Sequence, residues 1–203
     1  MGTWLWLARI DRPLTEEEAR ALLALLPPAR QARLHWEPPE KHPAVLGAYG
    51  LLAALLRERR GWTALPAMER SAGGRPFFPE YPQVYFSLSH TEGAAAAAVS
   101  EAPVGADIQR ICPDVPPRLA RLTGTENPAI FYRDWACREA RAKQRGTGVL
   151  SLLRQAPDAL PGEACAELPA FPGYAAGLAW EGTAPPEPPR LLTAEELLHC
   201  LDI

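Results

Sequence analysis

The chain has 203 residues, 47% of them hydrophobic, with a net charge of -3 and a pI near 5.9. That length and hydrophobic content suit one large domain or two small lobes with a sizeable core, and exclude disorder as the default reading. With no basic face and no long Lys/Arg run to offer phosphates a broad footprint, a nucleic-acid partner is not expected.

Thr3 to Ile10 reads as a first strand around Trp4 and Trp6. Arg9, Asp11 and Arg12 interrupt this apolar run, and no stretch reaches the ~20 apolar residues that a bilayer span needs. Neither secretion nor a membrane span is expected. Thr15 with Glu18 forms a capping box, and Leu22, Leu23, Leu25 and Leu26 face a core until Pro27-Pro28 stops the helix. In Ala29 to Trp36, Arg30 and Arg33 sit three apart on one helical side. Ala44 to Arg60 spaces leucines as a core helix does and closes on cations before Gly61.

Ser71 to Pro76 is a glycine-rich loop carrying one cation, Arg75, where glycines allow close backbone approach to a ligand. Val84 to His90 alternates as a strand, with Phe86, Leu88 and His90 on one parity and Tyr85, Ser87 and Ser89 on the other. Gly93 to Val99 is helix-forming by propensity, but its place between strands makes it a close-packed central strand. Val104 to Ile108 is another strand, with Gly105, Asp107 and then Gln109 on one face. A proline-rich connection from Cys112 to Pro117 leads to a long helix over Pro128 to Gln144, with Gly146 and Gly148 as stop signals. Leu150 to Leu153, Cys165 to Leu168 and Tyr174 to Trp180 read as strands, Glu181 to Pro189 as a linker, and Thr193 with Glu196 as the cap of a last helix. The 23 prolines imply many short elements joined by stiff connections. Cys112, Cys137, Cys165 and Cys200 form no metal-binding spacing and read as reduced thiols of a cytoplasmic protein, with neither zinc nor disulfides expected.

Trp135, Glu139 and Lys143 recur at steps of four on the long helix, so an acid and a base share one stripe. Taken alone this is a common surface pair worth about 0.3–0.5 kcal/mol. Asp107 adds weight, because an acid on a strand of Val, Ala and Ile must be paired or bind a cation. Asp107 with Glu139 could hold Mg2+, and His90 could donate to a phosphate.

Gly74-Arg75-Pro76, Phe86-Ser87-Leu88-Ser89-His90, Val104-Gly105-Ala106-Asp107 and Trp135-Ala136-Cys137-Arg138-Glu139-Ala140 with Lys143, in that order, resemble the 4'-phosphopantetheinyl transferase superfamily, specifically its surfactin-synthetase-activating, Sfp-type branch. The resemblance implies an α+β fold of two similar lobes about a pseudo-twofold within one chain, divided here as residues 1–102 and 103–203 with the site between them. It implies transfer of the phosphopantetheine arm of coenzyme A to a serine of an acyl- or peptidyl-carrier protein, releasing 3',5'-ADP, by a monomeric enzyme. Asp107 and Glu139 would hold Mg2+, with Glu139 also the candidate base and Lys143 offsetting charge on the transferred group. Ser89 and His90 would grip phosphate oxygens. Arg30, Arg33 and Arg75 would hold the outer phosphates, with Arg138 and Lys143 adding charge along the helix.

Three positions depart from the family pattern. Gln109 stands where a second acid is usual and can touch the metal only as a neutral amide, so weaker Mg2+ affinity is expected. Arg138 replaces a lysine, and Pro43-Ala44 replaces an Arg and a small hydroxyl residue that help bind the nucleotide end. These departures leave a competing reading, a catalytically weak relative that binds coenzyme A or a carrier domain. An unrelated Mg2+-dependent nucleotide hydrolase fits less well, because the sequence has no Walker-type loop. Arg118 and Arg121, within Ile111 to Glu126, are the candidate carrier-docking cations.

Overall fold

A computed structural model of the chain describes residues 2–147 and 161–203. The strand expected at Leu150 to Leu153 lies outside those residues. The fold is mixed α+β, built on two main sheets.

The first sheet has the order β4-β5-β1-β9 and forms around β1 (Thr3–Arg9), β4 (Tyr85–Thr91), β5 (Ala94–Ser100) and β9 (Arg190–Thr193). Every residue of β5 is buried, and its alanines leave room for close layers on both faces. Their helical propensity is overridden by that two-sided burial. Trp6, Ala8, Ala95 and Ala97 turn to one cluster, and Leu5, Leu7, Ala94, Ala96 and Ala98 to another. The first cluster is covered by α3 (His42–Arg60), through Leu51, Leu52, Leu55 and Leu56. This helix starts two residues before the expected Ala44, because Pro43 in its first turn lacks only an N–H that would be unpaired there. Ahead of it, α1 (Glu16–Leu23) starts at the expected Thr15–Glu18 capping box, and α2 (Pro28–Leu34) carries Arg30 and Arg33.

The second sheet has the order β6-β8-β7, from β6 (Val104–Arg110), β7 (Glu163–Leu168) and β8 (Tyr174–Glu181). Val104, Ala106, Ile108, Ala176 and Leu178 pack onto the second face of the first sheet. Across the opposite face lies α5 (Pro128–Arg145), capped by Asn127 and closed by Gly146 in the left-handed region. A Cβ on Gly105 would stand 1.9 Å from the carbonyl oxygen of Ala140, and one on Gly177 would stand 2.6 Å from that of Ala136. These two glycines let the helix backbone lie directly on the sheet. Each sheet thus carries a long helix on its outer face, compatible with the two-lobed expectation.

The sheets also meet edge to edge. Ser87, Ser89 and Thr91 of β4 accept the backbone N–H groups of Ala106, Ile108 and Arg110 at 3.0, 3.3 and 3.3 Å. Side-chain hydroxyls therefore satisfy an edge that would otherwise present unpaired donors.

Three elements lack a clear sequence signal. α4 (Pro117–Thr123) follows directly on the proline-rich connection, with Pro117 at its first position. A two-residue hairpin, β2 (Glu69–Arg70) with β3 (Pro76–Phe77), anchors the glycine loop. β9 pairs parallel with β1 after the proline linker, and the Arg190 guanidinium sits 4.5 Å above the Trp6 ring. The chain then enters α6 (Ala194–Cys200) through the expected Thr193–Glu196 box. Among the described residues no helix is long and apolar enough to cross a membrane.

Candidate active site

The close contact at Gly105 brings α5 against the next residues of β6, and there Asp107 is only 1% exposed. Its Oδ1 accepts from the Ser89 hydroxyl and from the Lys143 ammonium, each at 2.6 Å, and its Oδ2 accepts from the Gln109 amide at 2.7 Å. Lys143 donates a second bond to the Ala106 carbonyl at 3.1 Å. The buried carboxylate is therefore hydrogen-bonded on both oxygens and paired with a cation, as burial of a charge requires. Glu139 lies one turn back along α5. Burial pushes its carboxyl above the usual range, the negative charge of Asp107 pushes it further, and Lys143 partly offsets both. Among the described residues no three His, Cys, Asp or Glu side chains converge on one point, so the metal candidates are the two acids with Gln109.

Beside Lys143 opens a cavity of about 270 Å³ whose polar wall is cationic. Arg30, Arg70, Arg75 and His90 line it with Lys143, over an apolar floor that includes Val45, Ala48, Phe86 and Leu88. The cations are held in place. Arg30 makes a two-point pair with Glu37 at 2.8 and 2.9 Å, Arg70 donates to the Gly74 carbonyl at 2.7 Å, and Arg75 donates to the Gln144 carbonyl at 3.1 Å while stacking over Tyr85. Gly73 is glycine for a local reason, since a Cβ there would stand 2.3 Å from the Gly146 carbonyl oxygen at the end of α5. Desolvation lowers the His90 imidazole below its ordinary value, and the charges of Arg30 and Lys143 lower it further.

The expected residues divide in their placement. Asp107, Gln109, Glu139, Lys143, Ser89 and His90 come together where β4, β6 and α5 meet, and Arg30 and Arg75 reach the same cavity. The Ser89 hydroxyl is engaged inside the protein, donating to Asp107 and accepting from Ile108. Arg33 is exposed and faces an adjoining cleft that shares Arg30, Tyr49 and Arg70. Arg138 pairs with Asp134 on its own helix at 2.6 Å and stands outside the cavity wall. Ala44 faces a separate cleft with Lys41 and His90. Sequence reasoning missed Arg70 and Tyr49. Burial raises the Tyr49 phenol, while the positive charges of Arg30, Arg70 and Arg33 pull it back. Arg70 belongs to no motif; its only signal was its position just before the glycine loop.

No family model matches the chain. Over 154 residues, 69% of each chain, it is 24% identical to the 4'-phosphopantetheinyl transferase Sfp of Bacillus subtilis (strain 168). It is 23% identical to the 4'-phosphopantetheinyl transferase ffp of Bacillus subtilis over 155 residues, again 69% of each chain. A shorter match, 30% identity over 93 residues and 40% of each chain, is to the 4'-phosphopantetheinyl transferase psf-1 of Bacillus pumilus. The ordered motifs and these similarities agree: the chain is similar to 4'-phosphopantetheinyl transferases of the Sfp type.

Proposed function

We propose that this protein transfers the 4'-phosphopantetheine group of coenzyme A to a serine of an acyl- or peptidyl-carrier protein, releasing 3',5'-ADP. One observation carries the reading: the buried Asp107–Lys143 pair, with the desolvated Glu139 beside it, adjoins a cavity walled by Lys143, Arg30, Arg70 and Arg75. Such a wall suits a ligand bearing several phosphates, since guanidiniums pair with phosphate in two-point fashion.

Glu139 meets the requirements of a general base, because its raised affinity for a proton moves it toward the working pH. It would take the carrier serine proton as the oxygen attacks the β-phosphorus. Lys143, already poised at Asp107, would offset charge building on the transferred group. Arg30, Arg70 and Arg75 would fix the phosphates, and His90 would donate to one of them.

Asp107 and Glu139 fit a hard divalent cation such as Mg2+. They are two carboxylates, of which Glu139 is raised first by burial and then by the charge of Asp107, and a cation would offset both effects. Gln109 would complete the set by turning its amide oxygen, rather than the nitrogen it now offers Asp107, toward the ion. When bound, the metal supplies charge neutralisation at the pyrophosphate. Monomeric action in the cytoplasm and carrier docking around α4, where Arg118 and Arg121 are exposed, belong to the same proposal.

A second reading, a catalytically weak relative that binds coenzyme A or a carrier, is favoured by the neutral Gln109 beside Asp107. Mass spectrometry separates the two. An apo carrier protein incubated with this protein, coenzyme A and Mg2+ gains one phosphopantetheine group under the first reading, and the gain vanishes with EDTA. Measurable coenzyme A binding with no gain on several unrelated carriers supports the second.

A further inference from the structure

The flank of α5 that faces β7 carries a ladder of its own. Arg133, Cys137, Arg141 and Arg145 recur every four residues along the helix, and Glu167, Cys165 and Glu163 every two along the strand. Four helical residues rise about 6 Å and two strand residues about 6.6 Å, so the rows run in step. The outer rungs are ion pairs. Arg133 meets Glu167 at 3.1 Å, and Arg141 and Arg145 meet Glu163 at 3.6 and 2.5 Å. The middle rung is a pair of cysteines: the Cys165 thiol donates to the Cys137 carbonyl oxygen at 3.6 Å. Both are half-buried.

We propose that Cys137 and Cys165 are an oxidative modification site, forming a reversible disulfide when the protein meets a hydroperoxide. The flanking ion pairs hold the two elements in register, with the Cys165 sulfur against the Cys137 backbone. Cys165 is the attacking group, since the Arg141 guanidinium, which pairs with Glu163 two residues along the strand, favours its thiolate. Its thiolate sulfur takes the terminal peroxide oxygen; the O–O bond breaks, alkoxide (hydroxide, for hydrogen peroxide) leaves and takes up the proton the thiol gave up, and a sulfenic acid remains. The Cys137 sulfur then attacks that sulfur, the S–O bond breaks and water leaves, with the thiol proton going to the departing oxygen. In total two thiols are oxidised by two electrons and one peroxide is reduced to water and its alcohol, or to two waters. The bond would join residues 28 apart in sequence and tie α5 to the outer strand of the second sheet. Restricting the unfolded chain in this way raises thermal stability. The proposal goes beyond the transferase reading and does not depend on it.

The test is a peptide map of the full-length wild-type protein, treated with hydrogen peroxide and digested without reduction. The expected product is a Cys137–Cys165 cross-linked peptide, from a protein lighter by two hydrogens, restored by dithiothreitol. The oxidised protein should melt a few degrees higher, and Cys137→Ser and Cys165→Ser should each abolish that rise. Oxidation of Cys165 to sulfinic acid without a cross-link, or cross-links confined to Cys112 or Cys200, would overturn the proposal. The wild-type map decides this even if a variant fails to fold.

Discussion

The Lys143 ammonium and Asp107 Oδ1 are 2.6 Å apart, and the carboxylate side of this pair is almost wholly removed from solvent. The pair connects the two motifs of the site, since Asp107 comes from β6 and Lys143 from α5. Truncating one partner would leave a buried charge, which typically costs 3–5 kcal/mol. Ser89 and Gln109 still donate to Asp107, so we expect Lys143→Met to lose about 3 kcal/mol in urea denaturation. Asp107→Asn in the Lys143→Met background should recover part of that loss, and equal losses in both variants would show that the pair is not coupled.

Gly105 makes the pair possible by letting the α5 backbone approach β6. An alanine there would place its Cβ 1.9 Å from the Ala140 carbonyl oxygen, so the helix must lift. Gly105→Ala should therefore cost about 3 kcal/mol or more, at the upper end for overpacking. It should also lower turnover, because Glu139 and Lys143 move with the helix. A variant with wild-type melting temperature and turnover would contradict this packing.

Periodicity and capping made most elements legible, including both capping boxes, the α5 start at Pro128 and the alanine strand β5. The site's centre was legible too, because an acid among Val, Ala and Ile requires a partner and the helix stripe offered one. What escaped has a common cause. α4 and β9 follow proline-rich stretches that read as linkers, and β9 is a short strand whose parallel pairing with β1 is a tertiary contact. Arg70 and Tyr49 converge through tertiary packing from α3 and the β2–β3 hairpin, which no local pattern encodes. Ser89 was read as a ligand for phosphate, and its bond to Asp107 becomes visible only when the edges of the two sheets meet.

Glu139 should make stability depend on pH in a particular direction. A carboxyl whose folded-state pKa is raised contributes stability that is full below its ordinary pKa and is lost as pH rises through the folded value. In EDTA, Glu139→Gln should therefore be more stable than wild type at neutral pH, and the gap should close as pH falls below the ordinary glutamate range. Urea titrations at several pH values measure this. A gap that widens toward acid pH would reverse the assignment.

Arg70 should matter for ligand affinity although no motif contains it. Its guanidinium shares the cavity wall with Arg30 and its position is held by the Gly74 carbonyl. We expect Arg70→Gln to weaken coenzyme A binding about tenfold, or ~1.4 kcal/mol. The salt dependence of binding should also become shallower. Calorimetry at two ionic strengths would detect both effects, and unchanged affinity would remove Arg70 from the site.

The most direct measurement pairs carrier modification with coenzyme A binding in Glu139→Ala. The expected result is loss of phosphopantetheine transfer while coenzyme A affinity stays within about tenfold of wild type, or ~1.4 kcal/mol. Full transfer by that variant would contradict the assignment of Glu139 and, with it, the proposal that the contact between β6 and α5 is where the reaction occurs.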